Sequence, residues 1–179
     1  KEKVHPKAEF HQLDIRDFDK IAPLFKGVDC VFHTAALARV QPSIDNPRET
    51  HDVNVTGTQN VLVASRDAGV KRLVYSASSS AYGDQETFPT NESMLANPLS
   101  PYALQKHIGE LMCRLFSKIY DIETVSLRYF NVYGPRASVD GAYALVIGKF
   151  IDLRKKGLPL TIVPDGEQTR DFTHVNDVV

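Results

Sequence analysis

Two side chains in the stretch PLSPYALQKHIGE, residues 98–110, could move a proton together: Tyr102 and Lys106 stand four residues apart. On a helix that spacing puts them on one face, one turn from each other. An ammonium beside a phenol favours the phenolate and lowers the tyrosine pKa toward a range useful for deprotonating an alcohol. A second reading needs no chemistry. Ser100 caps a helix, Pro101 occupies its first turn, and Tyr102 and Lys106 are ordinary neighbours on its surface. The spacing alone leaves both readings open.

Other polar groups sit where a ligand could reach them. VYSASSSAYGD, residues 74–84, reads as a strand running into a serine-rich loop. In parallel α/β sheets ligands bind beyond the carboxyl ends of strands, so these hydroxyls face the ligand crevice. LRYFNVYGPR brings Asn131 and Arg136 to a similar address, and HTAALA places small residues after another strand, where a flat ligand can approach the backbone. Each feature has a plain alternative, since serine runs fill loops and a loop arginine after Gly-Pro is usually just exposed. Several such strand ends together carry more weight than any one.

The elements that must hold these groups follow from periodicity. AEFHQLDI reads as a strand, followed by a helix from about Asp17 to Phe25 that stops at Gly27. VDCVFHTAA, VKRLVYSASS and ETVSLRYFNV are apolar runs of the kind buried in a parallel sheet. Between them lie a long helix over PRETHDVNVTGTQNVLVASRDAG and the Ser-Pro helix from Pro101 to about Tyr120. A helix over AYALVIGKFIDLRKKG, a short strand LTIV and a polar tail complete the chain. Alternation of this kind predicts β-α-β units, a parallel sheet and helices on both faces.

Composition bounds the function classes. With 179 residues, 42% hydrophobic and 24% charged, net charge −1 and pI near 6.7, the chain reads as one globular domain with a sizeable core. The balanced charge argues against nucleic acid or an anionic membrane as partner. No apolar run reaches the length of a membrane span, and KEKVHPKAEF does not read as a signal peptide. Cys30 and Cys113 are expected to be buried free thiols in a reducing cytoplasm. The six histidines lack ligand-like spacing, so no metal site is expected.

Taken in order, DIRD, VFHTAA, NVTGTQNVL, LVYSASSSAYGD, SPYALQK, LRYFNVYGPR and GEQTRDFTHVNDVV resemble the nucleotide-sugar epimerase branch of the extended short-chain dehydrogenase/reductase family. Together with GAYALVIGKF, the pattern is most similar to UDP-glucose and UDP-N-acetylglucosamine 4-epimerases. The resemblance implies a Rossmann-like doubly wound sheet with NAD as cofactor. It implies that Tyr102 takes the proton from the sugar 4-hydroxyl while hydride passes between C4 and NAD, giving a 4-keto sugar. Lys106 would lower the tyrosine pKa and bond the nicotinamide ribose. Ser78 would orient the hydroxyl, with Ser79 and Ser80 as alternatives. Asp14 and Ile15 match positions that meet adenine, although Asp14 could equally cap the following helix. Thr34, Ala35 and Ala36 match positions lining the cofactor, and Phe130 one beside the nicotinamide that is also expected in the core. Asn131 and Arg170 would grip the substrate diphosphate, unless Arg170 pairs with Asp171 or Asp177 on the surface.

Related dehydratases carry an acidic residue three positions before the Tyr-Gly glycine, where this chain has Ser80. A hydroxyl cannot replace a carboxyl as proton carrier, so epimerisation is expected over dehydration. The family's glycine-rich β-α-β start and its C-terminal substrate region have no counterpart in the 179 residues. The expectation is therefore a partial NAD-binding domain over 1–179, with substrate-binding structure beginning near residue 131, cut from a longer chain and inactive alone. Remaining alternatives are a related nucleotide-sugar reductase or decarboxylase, and a catalytically silent binding domain. Family members commonly pair through two helices, here about residues 48–68 and 101–120, so a homodimer is expected.

Overall fold

Three of the apolar runs supply the strands of one parallel sheet, β1 (Cys30–His33), β2 (Arg72–Ser76) and β3 (Glu123–Leu127), in the order β1-β2-β3. The computed structural model describes residues 4–139, 145–162 and 165–179. Register places Val31, Leu73 and Thr124 in one row and Phe32, Val74 and Val125 in the next. Alternation sends the two rows to opposite faces. Leu73 and Tyr75 point into the core, which they share with Ile21, Val61, Leu62, Val70, Cys113 and Ile122.

The helices on that face form where their caps and apolar stripes require. A short helix α1 (Phe18–Ile21) runs on as a 3-10 turn to Phe25 and is closed by Gly27 at φ +77°. Helix α2 (Val40–Asp45) was not expected from periodicity. The long helix is realised in three pieces. These are α3 (Pro47–His51), capped by the Asn46 side chain, a π turn over Asp52–Thr56, and α4 (Gly57–Asp67), beyond which Gly69 adopts φ +71°. Helix α5 (Pro101–Ile119) starts as read, with Ser100 Oγ accepting from the Ala103 amide at 3.1 Å and Pro101 in the first turn.

Several expectations are corrected. Residues 8–15 form no strand: among the described residues β1 pairs only with β2, and no further strand lies beside it to complete a ladder. Cys30 is exposed rather than buried, sharing its face of β1 with Phe32, which is 73% exposed. Helical cover among the described residues therefore lies on one face of the sheet. The ETVSLRYFNV run is not one strand. It breaks after Leu127, and a separate strand β4 (Asn131–Tyr133) pairs in parallel with β5 (Phe172–His174) in a second, two-stranded sheet. The break is local, because the Tyr129 amide turns back to the Leu127 carbonyl at 3.0 Å while the Tyr129 carbonyl accepts from Ser79. Helix α6 (Val146–Lys155) occupies the later part of the expected C-terminal helix, whose positions 142–144 lie outside the described residues. Residues 160–162 are not a strand, and 163 lies outside the description.

Candidate active site

The carboxyl end of β2 and the first turns of α5 meet at one place. Lys106 is 4% exposed and donates from Nζ to the Ser76 carbonyl at 2.7 Å. Its ammonium also lies 5.0 Å from the centre of the Tyr75 ring. Burial pushes the Lys106 pKa down to about 8. Tyr102, one turn earlier on α5, is half-buried and donates its backbone amide to Ser43 Oγ at 3.0 Å. Tyr102 and Lys106 thus lie one turn apart on α5, as their spacing implies.

The loop itself is a tight turn. Ser78 caps a 3-10 turn over Ser79–Tyr82, its Oγ accepting from the Ser80 amide at 3.2 Å and lying 2.7 Å from Ser80 Oγ. The Ser79 amide is tied to the Tyr129 carbonyl at 3.0 Å. Ser78 and Ser80 thus share one hydroxyl pair, while the Ser79 backbone anchors the turn to the next strand end.

Next to Lys106, Gln105 joins α5 to a buried polar network. Asn54, carried inward by the π turn, accepts from the Leu37 amide at 2.8 Å and donates to the Leu37 carbonyl at 3.1 Å. Its Nδ2 also donates to Gln105 Oε1 at 2.9 Å, and Gln105 Nε2 donates to Thr50 Oγ1 at 3.0 Å. Asn54 therefore holds the loop that follows β1 against the helix of Tyr102 and Lys106. Asn54 carries no sequence signal of this role, because no local pattern marks the π insertion that aims it. Beneath the site, His33 Nε2 is 2.9 Å from Thr58 Oγ1, and burial together with the Lys106 charge pushes the His33 pKa down to about 4.

The remaining expected residues are placed less closely together. Thr34 and Ala35 are exposed and Ala36 is half-buried on the loop after β1, which leaves an accessible strand end with little side-chain bulk. Ile15 is fixed by α4, because Asn60 Nδ2 donates to its carbonyl at 3.0 Å and its side chain fills the space where Gly57 lacks a Cβ. Asp14 does not cap the helix, a position taken by Asp17. Its carboxylate instead accepts from the Arg16 amide at 2.9 Å and guanidinium at 2.6 Å, and these bonds lower its pKa. Phe130 is not core; it is 38% exposed and stacks on Tyr82 with centroids 6.2 Å apart. Asn131 spends its side-chain amide on the Asp171 carbonyl at 3.0 Å. The pairing of β4 with β5 brings that asparagine near Arg170, which is exposed and donates to the Thr169 carbonyl at 2.7 Å. Among the described residues no cluster of His, Cys, Asp and Glu could hold a metal, and no helix is long and apolar enough to cross a membrane.

The parallel sheet, its helices and the loops at its strand ends make this a Rossmann-like domain. Residues 1–179 match the NAD dependent epimerase/dehydratase family, and the chain belongs to that family. It is 43% identical to a putative UDP-glucose 4-epimerase of Methanocaldococcus jannaschii, covering 99% of this chain and 59% of that protein. Among solved structures it is similar to the UDP-glucose 4-epimerase of Thermotoga maritima with UDP-glucose (34% identity, TM-score 0.94), covering 99% of this chain and 58% of that one. It is likewise similar to the UDP-N-acetylglucosamine 4-epimerase of Methanobrevibacter ruminantium with UDP-N-acetylmuramic acid (38%, TM-score 0.89), covering 94% of this chain and 54% of that one. The chain thus spans under two-thirds of the length of these relatives.

The donor set suits part of a dinucleotide. An ammonium has three N–H donors, and the Ser76 carbonyl takes one from Lys106 at the mouth of the strand end. Thr34 and Ala35 are exposed just beyond the end of β1, so that strand end is accessible to a ligand.

Proposed function

We propose that the full-length protein interconverts the 4-epimers of a UDP-hexose, with NAD as cofactor and Tyr102 as the base. The observation that carries this reading is the fixed Lys106, buried and tied to the Ser76 carbonyl one turn from Tyr102, at a strand end lined by Ser78, Ser79 and Ser80. When bound, NAD supplies a hydride acceptor, and then a donor, at sugar C4. Tyr102 accepts the proton of the 4-hydroxyl and returns it, while the neighbouring ammonium favours the phenolate. Ser78 orients the same hydroxyl. Thr34, Ala35 and Ala36 flank the cofactor, Asp14 and Ile15 meet its adenine end, and Phe130 lies beside the nicotinamide. Asn131 and Arg170 face the diphosphate.

The relatives' names support a UDP-sugar substrate, since they include UDP-glucose and UDP-glucuronate 4-epimerases. The serine turn carries no carboxylate at Ser79 or Ser80, which favours epimerisation over elimination of water. A homodimer through the helical segments over about residues 48–68 and 101–120 is part of the same proposal, supported by the exposed stripe of Leu104, Leu111, Leu115 and Ile119 along α5. The free thiols Cys30 and Cys113 accord with a reducing cytoplasm.

The test uses the full-length chain, with its bound dinucleotide quantified, incubated separately with UDP-glucose, UDP-N-acetylglucosamine and UDP-glucuronate. Appearance of the 4-epimer of at least one is expected. No product from any of them, with no dinucleotide bound, would end the reading.

A further inference from the structure

Tyr102, Lys106 and Glu110 follow one another at intervals of four on α5, so the stripe that bears the proposed catalytic pair continues one turn past the lysine. Glu110 is held in a two-pronged bond by Arg128, just beyond β3, with Nε to Oε1 at 2.9 Å and Nη2 to Oε2 at 2.7 Å. Both side chains are largely buried, at 18% exposure for Arg128 and 11% for Glu110. His107 Nδ1 approaches the same carboxylate at 3.3 Å. The guanidinium carbon lies 4.5 Å from the centre of the Tyr82 ring, at the end of the serine turn, and Tyr82 in turn stacks on Phe130. One residue after Arg128, the Tyr129 carbonyl accepts the Ser79 amide. The helix of Tyr102 and the serine turn therefore meet at a single guanidinium, with Phe130 one ring further out on Tyr82. A buried ion pair returns little net stability for the desolvation it costs, whereas its planar fork constrains geometry in a way a point charge does not.

We propose that Glu110 and Arg128 are positioning residues that set the separation between Tyr102 on one side and Ser78 and Phe130 on the other. This rests on the epimerase reading above. The full-length protein carrying Arg128→Lys or Glu110→Gln is expected to lose about 10- to 100-fold in kcat, with KM for the UDP-sugar within about twofold of wild type. Bound NAD, released by denaturation and measured by absorbance, is expected to stay at the wild-type ratio. Tyr82→Leu, which leaves the ion pair in place but removes the stacking surface, is expected to show the same loss in kcat. A kcat within twofold of wild type, a loss carried by KM, or loss of the dinucleotide overturns the proposal. Should the ion-pair variants not fold, Tyr82→Leu decides by those same criteria. A wild-type protein without turnover instead overturns the epimerase reading, and this proposal with it.

Discussion

The side chain of Lys106 reaches back to the backbone carbonyl of Ser76, and this 2.7 Å bond fastens the start of α5 to the end of β2. Tyr102 is carried by the same helix turn, with its own amide bonded to Ser43 Oγ. Removing its hydroxyl leaves these backbone anchors untouched. Tyr102→Phe in the full-length protein is therefore expected to lower kcat by about 10²–10⁴-fold while the melting temperature barely moves. Product formation and a thermal melt on the same sample check it; an active Phe variant removes Tyr102 from the base role.

His33 predicts a pH-dependent stability. Its pKa is about 4 in the fold, against 6.5 for an unperturbed histidine, because burial and the Lys106 charge disfavour the imidazolium. Between those values the unfolded chain binds the extra proton, so stability present above about pH 6.5 is lost as pH falls toward 4. The contribution is roughly 3 kcal/mol over that window. Denaturant titrations at both ends should show a shallower fall for His33→Gln than for wild type. Equal slopes would mean that the imidazole is not held neutral.

Asn54 supports both the loop after β1 and α5. Truncation to alanine leaves the Leu37 amide and carbonyl and the Gln105 side chain without these partners inside the fold. A loss of about 2–3 kcal/mol is expected, together with weaker dinucleotide retention, measured by unfolding and by the bound NAD ratio. Unchanged values of both would show that the clamp is dispensable.

Gly109 lies over the Tyr75 ring, and a Cβ there would overlap the Tyr75 hydroxyl and its ring carbons. Gly109→Ala is expected to destabilise by about 1–3 kcal/mol. Tyr75→Phe alone should be neutral or stabilising by up to about 1 kcal/mol, because that hydroxyl is buried with no hydrogen-bond partner among the described residues. Chemical denaturation of the two variants side by side separates steric crowding from the cost of the unpartnered hydroxyl. A neutral Gly109→Ala would show that α5 can lift away from β2.

Family membership, the three sheet strands, the Ser100 cap and the shared face of Tyr102 and Lys106 were all legible in the linear order of residues. Family membership rests on motifs read in order along the chain, and the strands, the cap and the shared helix face on neighbours a few positions apart. Residues 8–15 show the limit of that logic. Their pattern suits a strand, yet a strand exists only where another chain segment accepts its hydrogen bonds. Cys30 and Phe130 were misplaced for a related reason, since apolar runs do not state which face of a sheet is covered. The inward turn of Asn54, the shared hydroxyl pair of Ser78 and Ser80, and the grip of Arg128 on Glu110 were settled only by tertiary structure. Asn54 meets Leu37, and Glu110 meets Arg128, at least 17 residues away in sequence, and the serine pair is fixed by a turn whose backbone is anchored to Tyr129. Local spacing named the groups able to do chemistry; packing between distant elements decided which of them meet, at what distance and with which charges exposed.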